Sequence, residues 1–436
     1  MSESPVPIMH NNLLPILSVR PIRALVDEPF KVLVENLRPG SPVTLHSLHL
    51  SEDGDYTEAF GHYVSSEWGT VSVADDFSFG GTYSGKEPMG LLWSQRPVPG
   101  GRRDLRLMKT VATTPMLVHI SVYSGHLTGG FQDQVPLASV LTERWYMAPG
   151  VKRVSVKEGN ILGTLFIPPG PGPFPGLLDM WGGGGGLIEY RAALLASHGY
   201  VSFALPYVSP DQGPVDERLF ESVFNMIKTH PQVIPDKVGL FGLSLGAIIT
   251  LYLAMESKVV RPACCVCISG THSFIRDKDS AQSISLDTLG DYSKVRVDEN
   301  NHSIWHDITL PISTDFSRKL DMSKINCPLM LVSGTDDQNV ASVEAAEDMA
   351  QMIHAAGKDH LLTKLVYPGA GHVIQPPFAP HCRFSWIMDV KKGQKYTLLW
   401  GGQTKPHSDA QEDSWKKILA FLQMHLYSSS SPRARM

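Results

Sequence analysis

Nothing in this 436-residue chain is apolar for long enough to form a membrane-spanning helix. Neither sign of charge is in excess: 38 Lys and Arg stand against 43 Asp and Glu, a net −5, with 42% hydrophobic residues. That balance suits a large soluble enzyme and gives no sign of a nucleic-acid or membrane-surface partner. The amino-terminal stretch lacks a basic start followed by an apolar core, and Glu3 among several prolines argues against a transit helix, so no cleaved targeting segment is expected. Cysteine is scarce, with five in all, and Cys264, Cys265 and Cys267 sit together in an apolar strand-like run. They read as reduced core residues of an intracellular protein. Strand alternation sends Cys264 and Cys265 to opposite faces, so they do not share a metal, and no metal site is expected. Internal repeats are absent, and no Gly-Lys-Ser/Thr phosphate loop is present.

What is present changes character near residues 148–152. Before that point, Phe30–Val34, Val43–Leu48, Thr70–Val73 and Met116–Val122 alternate apolar and polar residues and are separated by Gly, Pro, Asp and Ser. Short strands without helical period predict an all-β, immunoglobulin-like sandwich domain over residues 1–149. After Ala148-Pro149-Gly150, buried-strand patterns near 174–180, 201–206, 237–243, 263–269, 327–333 and 362–367 alternate with helical periodicity at 187–198, 216–229, 245–256, 343–356 and 409–426. Strands alternating with helices make the fold class α/β, with a mostly parallel sheet in an α/β-hydrolase domain over 150–426. A flexible tail, 427–436, follows.

The chemistry concentrates where Val238-Gly-Leu-Phe-Gly-Leu-Ser-Leu-Gly-Ala247 runs from a strand pattern into an apolar helix. Glycines flanking Ser244 permit the sharp strand-to-helix turn that lifts a serine hydroxyl above a sheet, the nucleophile elbow of this fold. Ser244 is the nucleophile on this reading. Its partners follow in the order acid, then histidine. Pro328–Ser333 leads into Gly334-Thr-Asp-Asp-Gln-Asn-Val340, which places two carboxylates at the carboxyl end of a strand, where ligands and catalytic groups gather. The spacing carries Asp337 past the turn as the triad acid, while Asp336 caps the turn. Leu362–Pro368 leads into Gly369-Ala-Gly-His372, and of the 17 histidines this one ends the last strand. His372 is therefore the base, oriented by Asp337.

A negative oxygen formed during acyl transfer needs donors. Phe174–Met180 reads as a strand and is followed by Trp181 and five glycines, Gly182 to Gly186. The expected oxyanion donors are the backbone N–H of Leu245 and of Trp181 or Gly182. A dinucleotide cradle is the rival reading of such a loop, but position 187 is Leu where the third glycine belongs. The next strand, moreover, ends in Ala204-Leu-Pro-Tyr207 rather than in an acid. A non-enzymatic alternative, a ligand carrier with an inactive hydrolase domain, is discriminated by a fluorophosphonate, which traps only an activated serine.

Three stretches resemble the type I acyl-CoA thioesterases and bile acid-CoA:amino acid N-acyltransferases. They are Gly170–Arg191, Tyr367–Pro377, and Leu399-Trp-Gly-Gly402 followed by His407, Ala410, Gln411 and Trp415. The resemblance covers nearly the whole chain and places the family's nucleophile, acid and base on Ser244, Asp337 and His372. It implies hydrolysis of fatty acyl-CoA, with coenzyme A as part of substrate and product and no separate cofactor. The alternative is conjugation of the acyl group to glycine or taurine. The amidating members place Cys at the nucleophile and the thioesterases Ser, so Ser244 favours hydrolysis. Leu245 and Ala247 stand where related thioesterases often carry Lys and Gly, and no aromatic follows the acid. The expected partner is a small-molecule acyl-CoA. Lys and Arg form no cluster that marks its phosphates, and Arg191 is expected in a pairing with Glu189 or Asp179 rather than on a phosphate. Trp181 and Trp400 are candidate acyl-lining or core residues. The terminal Ala434-Arg435-Met436 follows the small-basic-apolar pattern of a peroxisomal address read by an import receptor. Peroxisomal localisation is thus expected, with the cytoplasm as alternative; acyl length and oligomeric state are not legible.

Overall fold

The computed structural model describes residues 14–104, 106–208, 215–273, 283–284, 290–389 and 394–427. The chain forms two compact units: residues 1–24, 28–101 and 116–144, and residues 25–27, 102–115 and 145–436. Two stretches of the amino-terminal region, 25–27 and 102–115, thus group with the second unit.

The first unit is mostly β, with a short α-helix, Gly90–Trp93. One sheet of six strands runs in the order Arg23–Leu25, Ala138–Trp145, Met116–Ser124, Pro42–Leu50, Tyr56–Val64, Arg96–Pro97, and a second has three, Ile16–Arg20, Lys31–Glu35 and Val71–Ser72. The two-residue period decides which side chains go inside. In Lys31–Glu35, Val32 and Val34 are buried while both charged ends face solvent. The central strand pairs Leu45 with Gly61 on one side and Val122 on the other, both antiparallel.

The second unit is built on eight strands: β1 (Lys152–Glu158), β2 (Ile161–Ile167), β3 (Phe174–Met180), β4 (Val201–Ala204), β5 (Val233–Leu243), β6 (Cys265–Ile268), β7 (Leu329–Gly334) and β8 (Leu362–Tyr367). Their order in the sheet is β1-β2-β4-β3-β5-β6-β7-β8. The pairings from β4 through β8 are parallel, and β1 and β2 are joined antiparallel at one edge. This is an α/β-hydrolase sheet. Its inner strands are covered on both faces, which is why they read as continuous apolar runs: Leu240, Phe241, Cys265, Val266, Leu329 and Leu331 are all buried. Leu240→Ala would leave a cavity costing about 2–5 kcal/mol.

The α-helices described in the second unit are Tyr190–Ser197, Glu217–Thr229, Leu245–Glu256, Ser342–Ala355 and Thr404–Leu422, close to the periodic segments of the sequence. Glu217–Thr229 is capped by the Asp216 carboxylate, which accepts from the Arg218 N–H, and it buries Phe220, Val223, Phe224 and Ile227 at helical spacing. Leu245–Glu256 is apolar on every side and buried through Leu253, the mark of a helix enclosed by its neighbours. Among the described residues, no helix is long and apolar enough to cross a membrane. All five cysteines are free, and Cys265 Sγ lies 3.8 Å from Cys327 Sγ.

Two elements differ from the sequence expectation. Phe174–Met180 is not the first strand of the sheet, because β1 and β2 precede it. In β1, Lys-Arg-Val-Ser-Val-Lys-Glu is almost wholly exposed, so no apolar pattern announces it. The hairpin Phe384–Asp389 and Gln394–Leu399, joined by the short strands Arg296–Val297 and Ser303–Ile304 into a four-stranded sheet, was likewise not expected.

Candidate active site

Ser244 stands between the end of β5 and the helix Leu245–Glu256 at φ 57°, ψ −120°, a conformation disfavoured for a residue with a Cβ. The surroundings force it. Ser244 N–H donates to the Ile268 carbonyl (2.9 Å), and its own carbonyl accepts from Ala247 (2.9 Å) and Ile248 (3.1 Å). A Cβ on Gly242 would lie 2.1 Å from the Gly246 carbonyl oxygen, and one on Gly246 would lie 2.3 Å from that of Met180. Neither position admits a side chain. Ala247 fills space left by another glycine, since a Cβ on Gly270 would fall 2.6 Å from the Ala247 Cβ.

Three loops at the carboxyl ends of β5, β7 and β8 bring Ser244, Asp337 and His372 together. His372 Nε2 is 2.9 Å from Ser244 Oγ, and His372 Nδ1 is 3.0 and 2.9 Å from the two Asp337 carboxylate oxygens. With Asp337 accepting, Nδ1 carries the proton and Nε2 is free to accept from the serine hydroxyl. Asp337 and His372 are buried, while Ser244 is partly accessible. The Asp337 carboxylate is further held by the N–H groups of Asn339 and Val340 on Oδ1 (both 2.9 Å) and by the Ser342 hydroxyl on Oδ2 (2.9 Å).

Asp336 does not cap the turn as the sequence led one to expect: the turn's N–H groups, of Asn339 and Val340, go to Asp337, and Asp336 faces elsewhere. It accepts from Gly402 N–H (2.8 Å), Arg383 Nη1 (3.0 Å) and Gln338 Nε2 (2.7 Å). Partial burial works to raise its carboxyl, but the Arg383 and Gly402 bonds prevail and hold it below the ordinary value. Gly401, at φ 78°, lies so close to the Asp336 carbonyl that a Cβ would sit 1.8 Å from that oxygen. The stretch Leu399-Trp-Gly-Gly402 thereby locks the acid loop, and it also receives the base loop. His372 N–H donates to the Trp400 carbonyl (2.8 Å), and the two rings stack at 5.6 Å and 13°.

Sequence reasoning did not assign Ser342 or His407 to this site, and it offered Trp400 only as an acyl-lining or core residue, not as a partner of the base loop. His407 Nδ1 accepts from Gly371 N–H (3.1 Å) and Nε2 donates to the Val373 carbonyl (3.0 Å), so it clasps the peptides on both sides of His372. Burial, helped by neighbouring His381, pushes its imidazole down to about 3 despite the Val373 bond, so it stays neutral. Its only sequence signal was membership of the motif that follows Trp400.

The glycine loop after β3 borders the nucleophile: a Cβ on Gly182 would be 3.2 Å from that of Ser244. Leu245 is the first residue of its helix, where backbone N–H groups have no intrahelical acceptor. Trp181 is buried. Arg191 lies just beyond the loop, 1% exposed, with Nε on Asp179 Oδ1 (2.7 Å) and Nη2 on the Met180 carbonyl (3.0 Å). Its guanidinium is 4.2 Å from both the Trp181 and Phe241 rings. Burial pushes the Asp179 carboxyl up, opposed by the Arg191 charge and bond. Glu189 pairs instead with Arg153 (2.5 Å) and Thr164 (2.5 Å). Arg191 is therefore structural and not a surface phosphate ligand.

Such a constellation suits nucleophilic acyl transfer, and its place in a family follows from comparison. A family model described as BAAT / Acyl-CoA thioester hydrolase C terminal matches residues 215–428, and one described as Acyl-CoA thioester hydrolase/BAAT N-terminal region matches residues 27–158. The chain is 37% identical over 421 residues to the bile acid-CoA:amino acid N-acyltransferase of Mus musculus, covering 94% of this chain and 97% of that one. It is 36% identical over 431 residues to the peroxisomal succinyl-coenzyme A thioesterase of Mus musculus, covering 95% and 98%. Among solved structures, acylaminoacyl peptidase in complex with Z-Gly-Gly-Phe-chloromethyl ketone is 12% identical, with a TM-score of 0.41 over 94% of this chain and 61% of that one. Matched by both family models and by full-length relatives above 30% identity, the chain belongs to the acyl-CoA thioester hydrolase and bile acid-CoA:amino acid N-acyltransferase family.

Proposed function

We propose that this chain is an acyl-CoA thioesterase that releases a fatty acid and coenzyme A through a serine acyl-enzyme, with Ser244 as nucleophile, His372 as base and Asp337 as orienting acid. The observation that carries this reading is the 2.9 Å approach of Ser244 Oγ to His372 Nε2, with Asp337 on the far nitrogen. His372 accepts the Ser244 proton as Oγ bonds to the thioester carbon, and the carbonyl oxygen becomes negative. Backbone N–H groups of Leu245 and of Trp181 or Gly182 bind that oxygen. Collapse breaks the carbon–sulfur bond, and the imidazolium returns its proton to the departing sulfur. Water then loses a proton to His372 and attacks the ester, expelling the acid and restoring the Ser244 hydroxyl.

A second reading, transfer of the acyl group to an amino acid, is favoured by the 37% identity to a bile acid-CoA:amino acid N-acyltransferase. Ser244 argues for water: its acyl-enzyme is an oxygen ester, less reactive toward amines than the thioester a cysteine would form. The test is thiol release from acyl-CoAs of graded length and from bile-acid CoA, with and without glycine or taurine. Amine-independent release that vanishes in Ser244→Ala supports hydrolysis, whereas amide formed only with amine present makes the chain a transferase.

For localisation we propose the peroxisome. The terminal Ala434-Arg435-Met436 lies outside the described residues, and support comes from its sequence pattern and from a relative named as peroxisomal. Deleting 434–436 from a tagged chain should disperse it to the cytoplasm, and an unchanged distribution would sink this idea.

A further inference from the structure

The strand after the glycine loop ends in Ala204-Leu-Pro-Tyr207, where a dinucleotide-binding unit would place a ribose-binding acid. Tyr207 is buried and its hydroxyl donates to the Trp181 carbonyl. Burial pushes the phenol far above its ordinary value, so it remains a protonated donor. One peptide earlier, Arg191 Nη2 donates to the Met180 carbonyl (3.0 Å). Both carbonyls also crowd the elbow, since a Cβ on Gly246 would lie 2.3 Å from the Met180 oxygen and 2.7 Å from the Trp181 oxygen. Two consecutive carbonyls are thus pinned to fixed directions.

A trans peptide is planar, with its N–H pointing opposite its C=O, and neither of these two bonds is among the cis peptides of the chain. Pinning the Trp181 carbonyl therefore fixes the Gly182 N–H, and pinning the Met180 carbonyl fixes the Trp181 N–H. Gly182 is the residue whose backbone abuts Ser244. We propose that Tyr207 and Arg191 are positioning residues for the oxyanion hole: they touch no substrate, but by holding two carbonyls they aim the Gly182 and Trp181 N–H groups at the oxygen of the tetrahedral intermediate. The Asp179 carboxylate and the flanking Trp181 and Phe241 rings hold the Arg191 guanidinium in place, and Tyr207 is edge-on to Phe220 at 5.5 Å. Such preorganisation matters because donors that must reorient during the reaction lose most of their effect.

The inference rests on the serine-hydrolase reading above, and the experiment separates the two. The full chain and its Tyr207→Phe variant are compared in thiol release from an acyl-CoA and in binding two analogues of it. One is a thioether, which mimics the ground state; the other is a trifluoromethyl ketone, which Ser244 converts to a tetrahedral oxyanion. Losing one oxyanion donor outright costs about 10² to 10³ in rate, so a misaimed donor is expected to cost about ten- to a hundredfold in kcat. KM and thioether affinity should stay within about twofold, and ketone affinity should fall by the same factor as kcat. An unchanged kcat, or equal weakening of both analogues, overturns the proposal, because a merely packing tyrosine would give one of those results. Thiol release persisting in Ser244→Ala would instead overturn the serine reading itself. Should Tyr207→Phe not melt cooperatively, Arg191→Lys keeps a cation beside Asp179 while withdrawing the donor from Met180, and the same split between ketone and thioether decides the outcome.

Discussion

Replacing Asp337 by asparagine isolates what the acid contributes, because the surrounding bonds dictate how the amide must sit. Oδ1 receives two backbone N–H groups, from Asn339 and Val340, each at 2.9 Å, so that position has to remain an oxygen. The amide nitrogen is then forced into the Oδ2 position, 2.9 Å from His372 Nδ1 and 2.9 Å from the Ser342 hydroxyl. A hydroxyl rotates to accept at little cost. Oδ1 also lies 3.0 Å from Nδ1, but with an amide N–H donor at 2.9 Å the imidazole is favoured to present a lone pair at Nδ1 and carry its proton on Nε2. In that tautomer Nε2 donates toward Ser244 and cannot take its proton. The wrong tautomer in a serine triad lowers kcat by about 10⁴, about 5 kcal/mol of barrier at 1.36 kcal/mol per tenfold. Stopped-flow thiol release at saturating acyl-CoA measures it, with melting to verify that the nearly isosteric change leaves the fold intact. Ser342→Ala supplies the contrast: it removes one donor to the same carboxylate but leaves the tautomer unaltered, so its loss should stay within about tenfold. A turnover by Asp337→Asn within tenfold of the parent would refute the reasoning.

Gly246→Ala pushes a methyl to 2.3 Å from the Met180 carbonyl oxygen, a backbone atom with little room to yield, and should destabilise by about 1–3 kcal/mol in urea titration; an unchanged midpoint would mean that the elbow is looser than described. Arg191→Met strands the Asp179 carboxylate at 0% exposure and should cost about 3–5 kcal/mol, much of it recovered in Arg191→Met/Asp179→Leu. Equal losses in the single and double variants would speak against an uncompensated charge as the cause. His407 gives a pH prediction. Its folded value is pushed down to about 3 by burial, below the unfolded value of about 6.5, so the unfolded chain takes up the proton first. The neutral ring's contribution is fully present above about pH 6.5 and falls by about 1.4 kcal/mol per unit as pH drops from there toward 3. Denaturation at pH 7, 5.5 and 4 should show a shallower decline in His407→Gln than in the parent, and parallel declines would remove His407 as the source.

The parts of the fold that the sequence displayed are those in which one local pattern fixes one environment. The carboxyl-terminal half of β5, with β6 and β7, is enclosed on both faces and so is written as apolar runs, and Glu217–Thr229 buries a single stripe. β1 was missed because its pairing with β2 rests on backbone bonds while its own side chains stay in water. The hairpin Phe384–Asp389 with Gln394–Leu399 was missed for another reason. Its two strands pair with each other locally, but the small sheet is completed by Ser303 pairing with Leu398, and no local period records a pairing made across so long a stretch of chain.

At the site, the same division runs through single residues. The serine was marked by glycines two positions away on either side, because the elbow's constraint is local: Gly242 and Gly246 meet each other and the Met180 carbonyl. Of the two adjacent aspartates, the one expected past the turn meets the histidine, but the one expected to cap the turn does not cap it: Asp337 itself takes the turn's N–H groups. Asp336 clamps Gly402 and Arg383, whereas Asp337 meets His372. The residues that hold this pair in register were not local to anything. Gly401 is needed because a carbonyl at Asp336 passes within 1.8 Å of where its Cβ would be, and His407 clasps Gly371 and Val373 from the start of the last long helix. Each constraint joins segments far apart in the chain and is written at only one end of the contact, as a glycine or a histidine that looks unremarked in its own neighbourhood. Leu399-Trp-Gly-Gly402 and His407 therefore stood out only as part of a family pattern. The physical content of that pattern is that the acid loop and the base loop are fastened to a common third segment, so that Asp337 and His372 keep their 2.9 Å contact. It follows that substitutions at Gly401 should lower activity through the Asp337–His372 geometry even though no atom of that residue belongs to the triad, and that restoring Gly at 401 should be the only simple way to recover it.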